Sequence, residues 1–401
     1  MKTNVMFGLV AGTILFATSC KKENVQPDSQ VSLENAKAAI GDLAILQFDV
    51  DKFAGNIEAY MNGKVAGYGY TIFHEGNIYY RGSGGGGWLR RPVDAPAVMH
   101  AAQQRQDIAS STKFVTALAT IALLEKYNMS LAEPVYKYLP TNWQPSESFK
   151  ELTFERLLSH RTGLIKYGGD WEELKKTVEG PMKQDEFENQ SRVYNNVNFA
   201  LLAVMLPYVA AKKEFPADYN VLKSLENKPD QLYDALGVRY VGIVRVNVFK
   251  PAGMTQWSVA TFAPWNNNGL ISPESASKGY ATANGSEAGT NNGDYRRNGG
   301  AGGLYISTAE FGKIQRSATQ GLIVSAAGYQ KMKDALLGFD AVVNGKFGKY
   351  YWKNGGANYR ETMIFDFGKT QVAVFANSNT SEIGNKPSIL VGAYESAWVA
   401  K

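Results

Sequence analysis

The sequence predicts an α+β fold: an antiparallel sheet built from both chain ends, flanked by helices, with an all-helical lobe inserted between them. Three observations carry this. Two strand-like runs, 67–73 and 77–82, flank a His74-Glu75-Gly76-Asn77 turn near the start. Long apolar helical patterns fill the middle. A second pair of strand-like runs, 360–367 and 370–376, closes the chain around Gly368-Lys369.

The elements follow in order. Residues 1–20 read as a secretory leader: Lys2 supplies the positive start, and 5–18 are mostly apolar. The lone cysteine, Cys20, follows Phe16-Ala17-Thr18-Ser19, a stretch that resembles the bacterial lipoprotein signal, whose cysteine receives lipid. A plain signal peptide cut elsewhere is the alternative. Residues 21–40 are polar and read as a flexible tether. The domain proper is expected over 41–401, with its α/β part at about 41–109 and 300–401 and its helical part at about 110–299.

Ile57-Glu58-Ala59-Tyr60 reads as the end of a helix closed near Gly63. The glycines 84–87 lack a following lysine and helix, so they read as a linker and not a phosphate cradle. Residues 110–127 form a helix apolar round most of its circumference, which predicts burial on nearly all sides. Further helices are expected at 151–160 and 197–208. Residues 211–230 are polar and read as an excursion. From 266 to 303 the chain is rich in Gly, Asn and Ser, as in a functional rim or a disordered loop. A helix follows Ser307. Residues 372–376 are continuously apolar, as in a strand covered on both faces.

Composition narrows the function. The 401 residues are 44% hydrophobic and 20% charged, an ordinary globular balance. A net charge of +5, evenly spread, does not indicate a nucleic-acid partner. One cysteine allows no internal disulfide. His74, His100 and His160 have no ligand spacing around them, so neither metal nor cofactor is expected. His160 reads as structural and His74 as a solvated turn residue.

Three short motifs carry chemistry. Ser110-Ser111-Thr112-Lys113 opens the buried helix, where free N–H groups favour a developing oxyanion. Lys113 lies one turn on, so its amine can reach the serine oxygen. Copies of Ser-x-x-Lys also stand at Ser19 and Ser275, but only this one begins a buried helix. Tyr194-Asn195-Asn196 precedes another helix. A tyrosine held near a lysine can serve as base and acid, and an asparagine amide can hold a substrate carbonyl. Lys353-Asn354-Gly355-Gly356 precedes the last strand pair, where a strand edge can offer N–H groups and glycines permit close approach. Each motif alone is weak. No G-x-S-x-G elbow is present. Tyr350-Tyr351-Trp352 reads equally well as pocket lining or strand packing.

In this order the motifs resemble those of the serine β-lactamase and penicillin-binding-protein superfamily. The tyrosine of the second motif resembles the class C branch, which includes D-alanyl-D-alanine carboxypeptidases, D-aminopeptidases and esterases. Ile108-Ala109-Ser110, the stretch Leu157 to Leu164, Phe249 to Met254 and Ala301 to Ala309 also resemble that branch, so the likeness runs from about residue 52 onward. It implies a β-lactamase/transpeptidase-like fold and a serine hydrolase working through an acyl-enzyme on an amide, peptide, β-lactam or ester. Ser110 would be the nucleophile, and Lys113 and Tyr194 would share base and acid work. Asn196 would hold the substrate amide, and Lys353 would steer a substrate carboxylate and tune Tyr194. The N–H groups of Ser110 and Gly356 would form the oxyanion hole. Asn354 stands where the family usually carries threonine. The expected partners are a small-molecule or peptide substrate and, through Cys20, a membrane. The expected place is the bacterial cell envelope, facing periplasm or exterior. A non-hydrolytic binding or scaffold protein on the same fold is the alternative.

Overall fold

A computed structural model describes residues 46–401, and the compact unit Phe48–Val399 carries everything below. The leader, Cys20 and the tether lie outside the described residues.

The first helix, α1 (Val50–Met61), is capped by Asp49, whose side chain accepts the Lys52 N–H. It buries Phe53, Ile57 and Met61 on one stripe. Strands β1 (Gly67–His74), β2 (Asn77–Arg90) and β3 (Val98–Met99) follow. Near the other end run β6 (Ala341–Gly345), β7 (Gly348–Ala357), β8 (Arg360–Asp366) and β9 (Thr370–Ala376). They join as one seven-stranded sheet in the order β3-β2-β1-β9-β8-β7-β6, and every adjacent pair is antiparallel. Both chain ends therefore build the sheet, as the strand-like runs predict.

The pleat shows why residues 372–376 of β9 are apolar throughout. Val372, Val374 and Ala376 face one core with Tyr70, Phe365 and helices α1 and α9 (Ser388–Glu395). Ala373 and Phe375 face the other, against Phe311 and Ile314 of α8 (Thr308–Thr319). Adjacent side chains alternate faces, and both faces are covered.

The glycines 84–87 are not a linker. They are a paired part of β2, with Gly84, Gly85 and Gly86 opposite Tyr70, Gly69 and Tyr68. The residues that precede β4 (Gln106–Asp107) cross directly over this patch: a Cβ on Gly69 would stand 2.6 Å from the Ala101 carbonyl oxygen. A Cβ on Gly85 would overlap the Tyr68 carbonyl. On Gly84 it would meet the Tyr70 ring at an ordinary 3.4 Å. Gly85→Ala should therefore cost about 3 kcal/mol of unfolding free energy and Gly84→Ala less than about 1 kcal/mol. Paired denaturant titrations check this, and equal midpoints would refute the packing account.

Between the two sets of strands lies the helical region. Helix α2 (Thr112–Lys126) is buried at every position from Thr112 to Leu124. Beside it run α5 (Asn196–Lys213), buried from Val197 to Ala211, and α7 (Pro229–Val244). The polar stretch 211–230 is no excursion: it holds the end of α5, all of α6 (Pro216–Leu225) and the start of α7. Proline opens α6 and α7 at their first turn, where its missing N–H costs nothing. Shorter helices α3 (Phe154–Leu158) and α4 (Trp171–Glu179) complete this side.

The Gly/Asn/Ser-rich stretch after Asn266 forms the rim as an irregular but tied segment. The fully buried Arg360 guanidinium donates to the carbonyls of Asn358 at 3.0 Å and Thr290 at 2.9 Å. Gly279 pairs with Thr290, and the Tyr280 hydroxyl donates to Asp94 at 2.7 Å. His74 is not a free turn residue either. It ends β1 half-buried, with its ring bonded to the Thr370 hydroxyl at 2.8 Å.

Candidate active site

Ser110 sits in a short turn, Ala109–Ser111, that feeds α2. Ala109 adopts a left-handed φ of +46°, which costs a non-glycine residue ~1–2 kcal/mol. Several bonds hold the turn. Asp107 accepts the Ala109 N–H at 2.7 Å, and the Ser111 and Thr362 hydroxyls meet at 2.7 Å. Thr362 in turn donates to the Ile108 carbonyl at 3.2 Å. The turn is thereby fixed to β8.

The first two motifs converge on Ser110. Lys113 Nζ lies 3.0 Å and the Tyr194 hydroxyl 2.7 Å from Ser110 Oγ. Lys113 is fully buried and also donates to Asn196 Oδ1 at 2.8 Å and the Ala301 carbonyl at 2.5 Å. Burial drives its pKa well below that of a free lysine, and the Lys353 charge adds to the effect. Lys113 thus donates to Ser110 Oγ and to two carbonyl-type oxygens, and loss of its proton would let it accept the Ser110 hydroxyl instead.

Tyr194 behaves differently. Although 44% of its surface is exposed, its hydroxyl turns inward to Ser110. Burial pushes its pKa up to about 12, which the bond to Ser110 only partly opposes. The phenol stays protonated and is set up as a donor.

His160 places Tyr194. It is buried, in a left-handed conformation, and its ring packs on the Tyr194 ring at 4.6 Å. Its Nδ1 accepts from the Asn195 N–H at 3.2 Å and the Asn198 amide at 3.0 Å. Burial holds its pKa down to about 2, with nearby cations contributing, so the ring is neutral. Asn195, not Asn196, caps α5, accepting the Val197 N–H at 3.1 Å. That leaves Asn196 free to face the cleft.

The third motif lies on β7. Register with β6 ends at Trp352, so residues 353–357 present an unpaired edge beside the Ser110 turn. The Asn354 N–H points off this edge to Asp340 at 3.0 Å. Residues two apart share an orientation, so the Gly356 N–H also faces outward, into the cleft. Gly355 has no room for a side chain: a Cβ would lie 2.5 Å from the Ile108 carbonyl oxygen.

Two expectations for this motif do not fit. Lys353 is almost fully buried and ion-paired to Asp340 at 2.8 Å, and it also donates to its neighbour's carbonyl at 2.6 Å. It offers no free ammonium to a substrate carboxylate. The Asn354 amide turns away and bonds the Gly384 carbonyl. Nothing local in the sequence marks Asp340 as the partner, because the pairing is long-range. Tyr350 and Tyr351 pack in the cores and do not line the cleft.

The cleft in front of Ser110 measures about 290 Å³. Its lining includes Asp107, Lys166, Asn196, Tyr295, Asn298 and Gly356. Sequence reasoning passed over Asp107 and Lys166. Among the described residues no group of three or more metal-ligating side chains occurs.

Several known proteins share this architecture. A Staphylococcus aureus protein named teichoic acid D-alanine hydrolase is 24% identical over 302 residues, covering 73% of this chain. The chain spans only 61% of that relative's length. The crystal structure of FmtA from S. aureus superposes with a TM-score of 0.63 at 18% identity, over 86% of this chain and 88% of that one. The D-amino acid amidase of Ochrobactrum anthropi does so with a TM-score of 0.59 at 15% identity, over 86% and 98%. The family model described as Beta-lactamase matches residues 53–387, which is most of the chain, and on that match the protein belongs to the β-lactamase family.

Proposed function

We propose that the protein is a serine hydrolase that cleaves small acyl esters or amides through an acyl-enzyme, on the envelope side of a membrane to which Cys20 tethers it. The observation that carries this is the meeting of lysine amine and tyrosine phenol at one serine oxygen, 3.0 and 2.7 Å away.

The chemistry follows from the two pKa directions. Lys113, whose pKa burial depresses, takes the Ser110 proton in its neutral form as Oγ bonds the acyl carbon. The Ser110 and Gly356 N–H groups receive the oxyanion. Tyr194 gives its proton to the leaving oxygen or nitrogen. Water then enters: its proton goes to the Tyr194 phenolate and its oxygen to the acyl carbon. The bond to Ser110 breaks, and Lys113 returns the proton to Oγ. Asn196 donates to the substrate carbonyl.

The ion-paired Lys353 and the averted Asn354 remove two groups that could grip a carboxylate. This disfavours β-lactams and peptides ending in D-Ala-D-Ala. D-Alanyl esters and amides need no such grip, and the S. aureus relative is named as a teichoic acid D-alanine hydrolase. In a turnover panel, D-alanyl esters or anilides should exceed nitrocefin and a D-Ala-D-Ala peptide by at least about tenfold in kcat/KM. Preference for nitrocefin would overturn the substrate class, and no turnover of any of them would overturn the hydrolase reading.

A further inference from the structure

We propose that Asp107 recognises a free α-ammonium group on the acyl part of the substrate, so that the cleft selects aminoacyl groups. This rests on the hydrolase reading above and goes beyond it in assigning the residue that reads the acyl group.

The lining of the cleft is mostly without side-chain bulk: Ala109, Ala301, Gly302, Gly303, Gly356 and Ala357 contribute only backbone and methyl groups. Two lining residues carry charge, Asp107 and Lys166. They differ in setting. Lys166 is exposed at the rim. Asp107 is only 3% exposed, in the short strand pairing with Tyr305, three residues before Ser110. A carboxylate so placed is a costly thing to bury without a partner.

The contacts of Asp107 leave room for a ligand. Its Oδ1 accepts the Ala109 N–H at 2.7 Å. No ion pair within 4.0 Å involves it among the described residues. The nearby Arg360 spends its Nη groups on the carbonyls of Asn358 and Thr290. Arg360 thus acts on Asp107 through charge alone, and it opposes the rise in pKa that burial imposes. A substrate ammonium delivered to this wall would meet a desolvated carboxylate, where a charge-assisted hydrogen bond is strong.

A purely structural role is the competing account, since Asp107 also props the left-handed Ala109. Asp107→Asn separates the two, because the asparagine Oδ1 still accepts the Ala109 N–H. Wild type and D107N are assayed on D-alanine p-nitroanilide and on propionic p-nitroanilide, which lacks only the amine. D107N should lose about 10–100-fold in kcat/KM on the first and stay within about threefold on the second. An equal loss on both, or a wild type indifferent to the amine, overturns the proposal. Calorimetric binding of D-alaninamide and propionamide decides the same point without turnover. D107N should weaken the former at least about tenfold and leave the latter unchanged, and equal effects overturn the assignment. Should D107N not fold, Asp107→Ser gives the same comparison with a smaller neutral acceptor. Failure of a fluorophosphonate to label the wild type would count against the hydrolase reading, while the calorimetry would still decide Asp107.

Discussion

Ser110→Ala should abolish covalent labelling by a fluorophosphonate and lower kcat by at least about a thousandfold. The change removes one oxygen from a site otherwise fixed by its surroundings. Lys113, Asn196 and Ala301 keep their mutual bonds, and Asp107 still holds the turn through the Ala109 N–H. The variant should fold as the wild type does, and its melting temperature should move by no more than a few degrees. Intact-mass spectrometry reads the adduct directly: one inhibitor mass on the wild type and none on the variant. An adduct on the variant would place the nucleophile elsewhere.

Lys113→Met should lower kcat by about 100- to 10,000-fold, the range for losing a general base. Methionine matches the length and apolar surroundings of the lysine stem, so burial is preserved. The sharper reading is the pH profile. Lys113 is depressed below the ordinary 10.5, so its neutral form is populated at lower pH than a free lysine allows. Wild-type kcat/KM should rise with pH through that lowered value and fall again only near 12, where Tyr194 ionises. The Lys113→Met variant should lose the acidic limb, while Tyr194→Phe should lose the alkaline one. Retention of the acidic limb in Lys113→Met would assign it to another group.

Much of this was readable in the chain before its structure. Strand-like runs around turns located the end strands, and long apolar helical patterns located the buried helices. The order Ser-x-x-Lys, Tyr-x-Asn, Lys-x-Gly marked the segments that meet at Ser110. What was hidden is long-range. The glycines 84–87 look like a linker because glycine carries no apolar signal, yet the bareness of Gly85, with that of Gly69 opposite, is what the crossing backbone at Ala101 requires. The stretch 211–230 reads as surface because α6 buries little beyond Leu222. Lys353 reads as a free cation because its neutralising partner, Asp340, sits on a different segment with no motif of its own. Asp107 escaped notice because one carboxylate beside a nucleophile has no pattern. Its meaning lies in which side of the turn it faces.

The Arg360 guanidinium has a consequence for how ligands enter. It gathers the backbone of two separate loops onto β8, as a pin gathers folds of cloth, and it does so from a position sealed off from solvent. These buried ties restrain the outline of the mouth. Selection then falls to shape and charge already in place, and little ordering entropy remains to be lost on arrival.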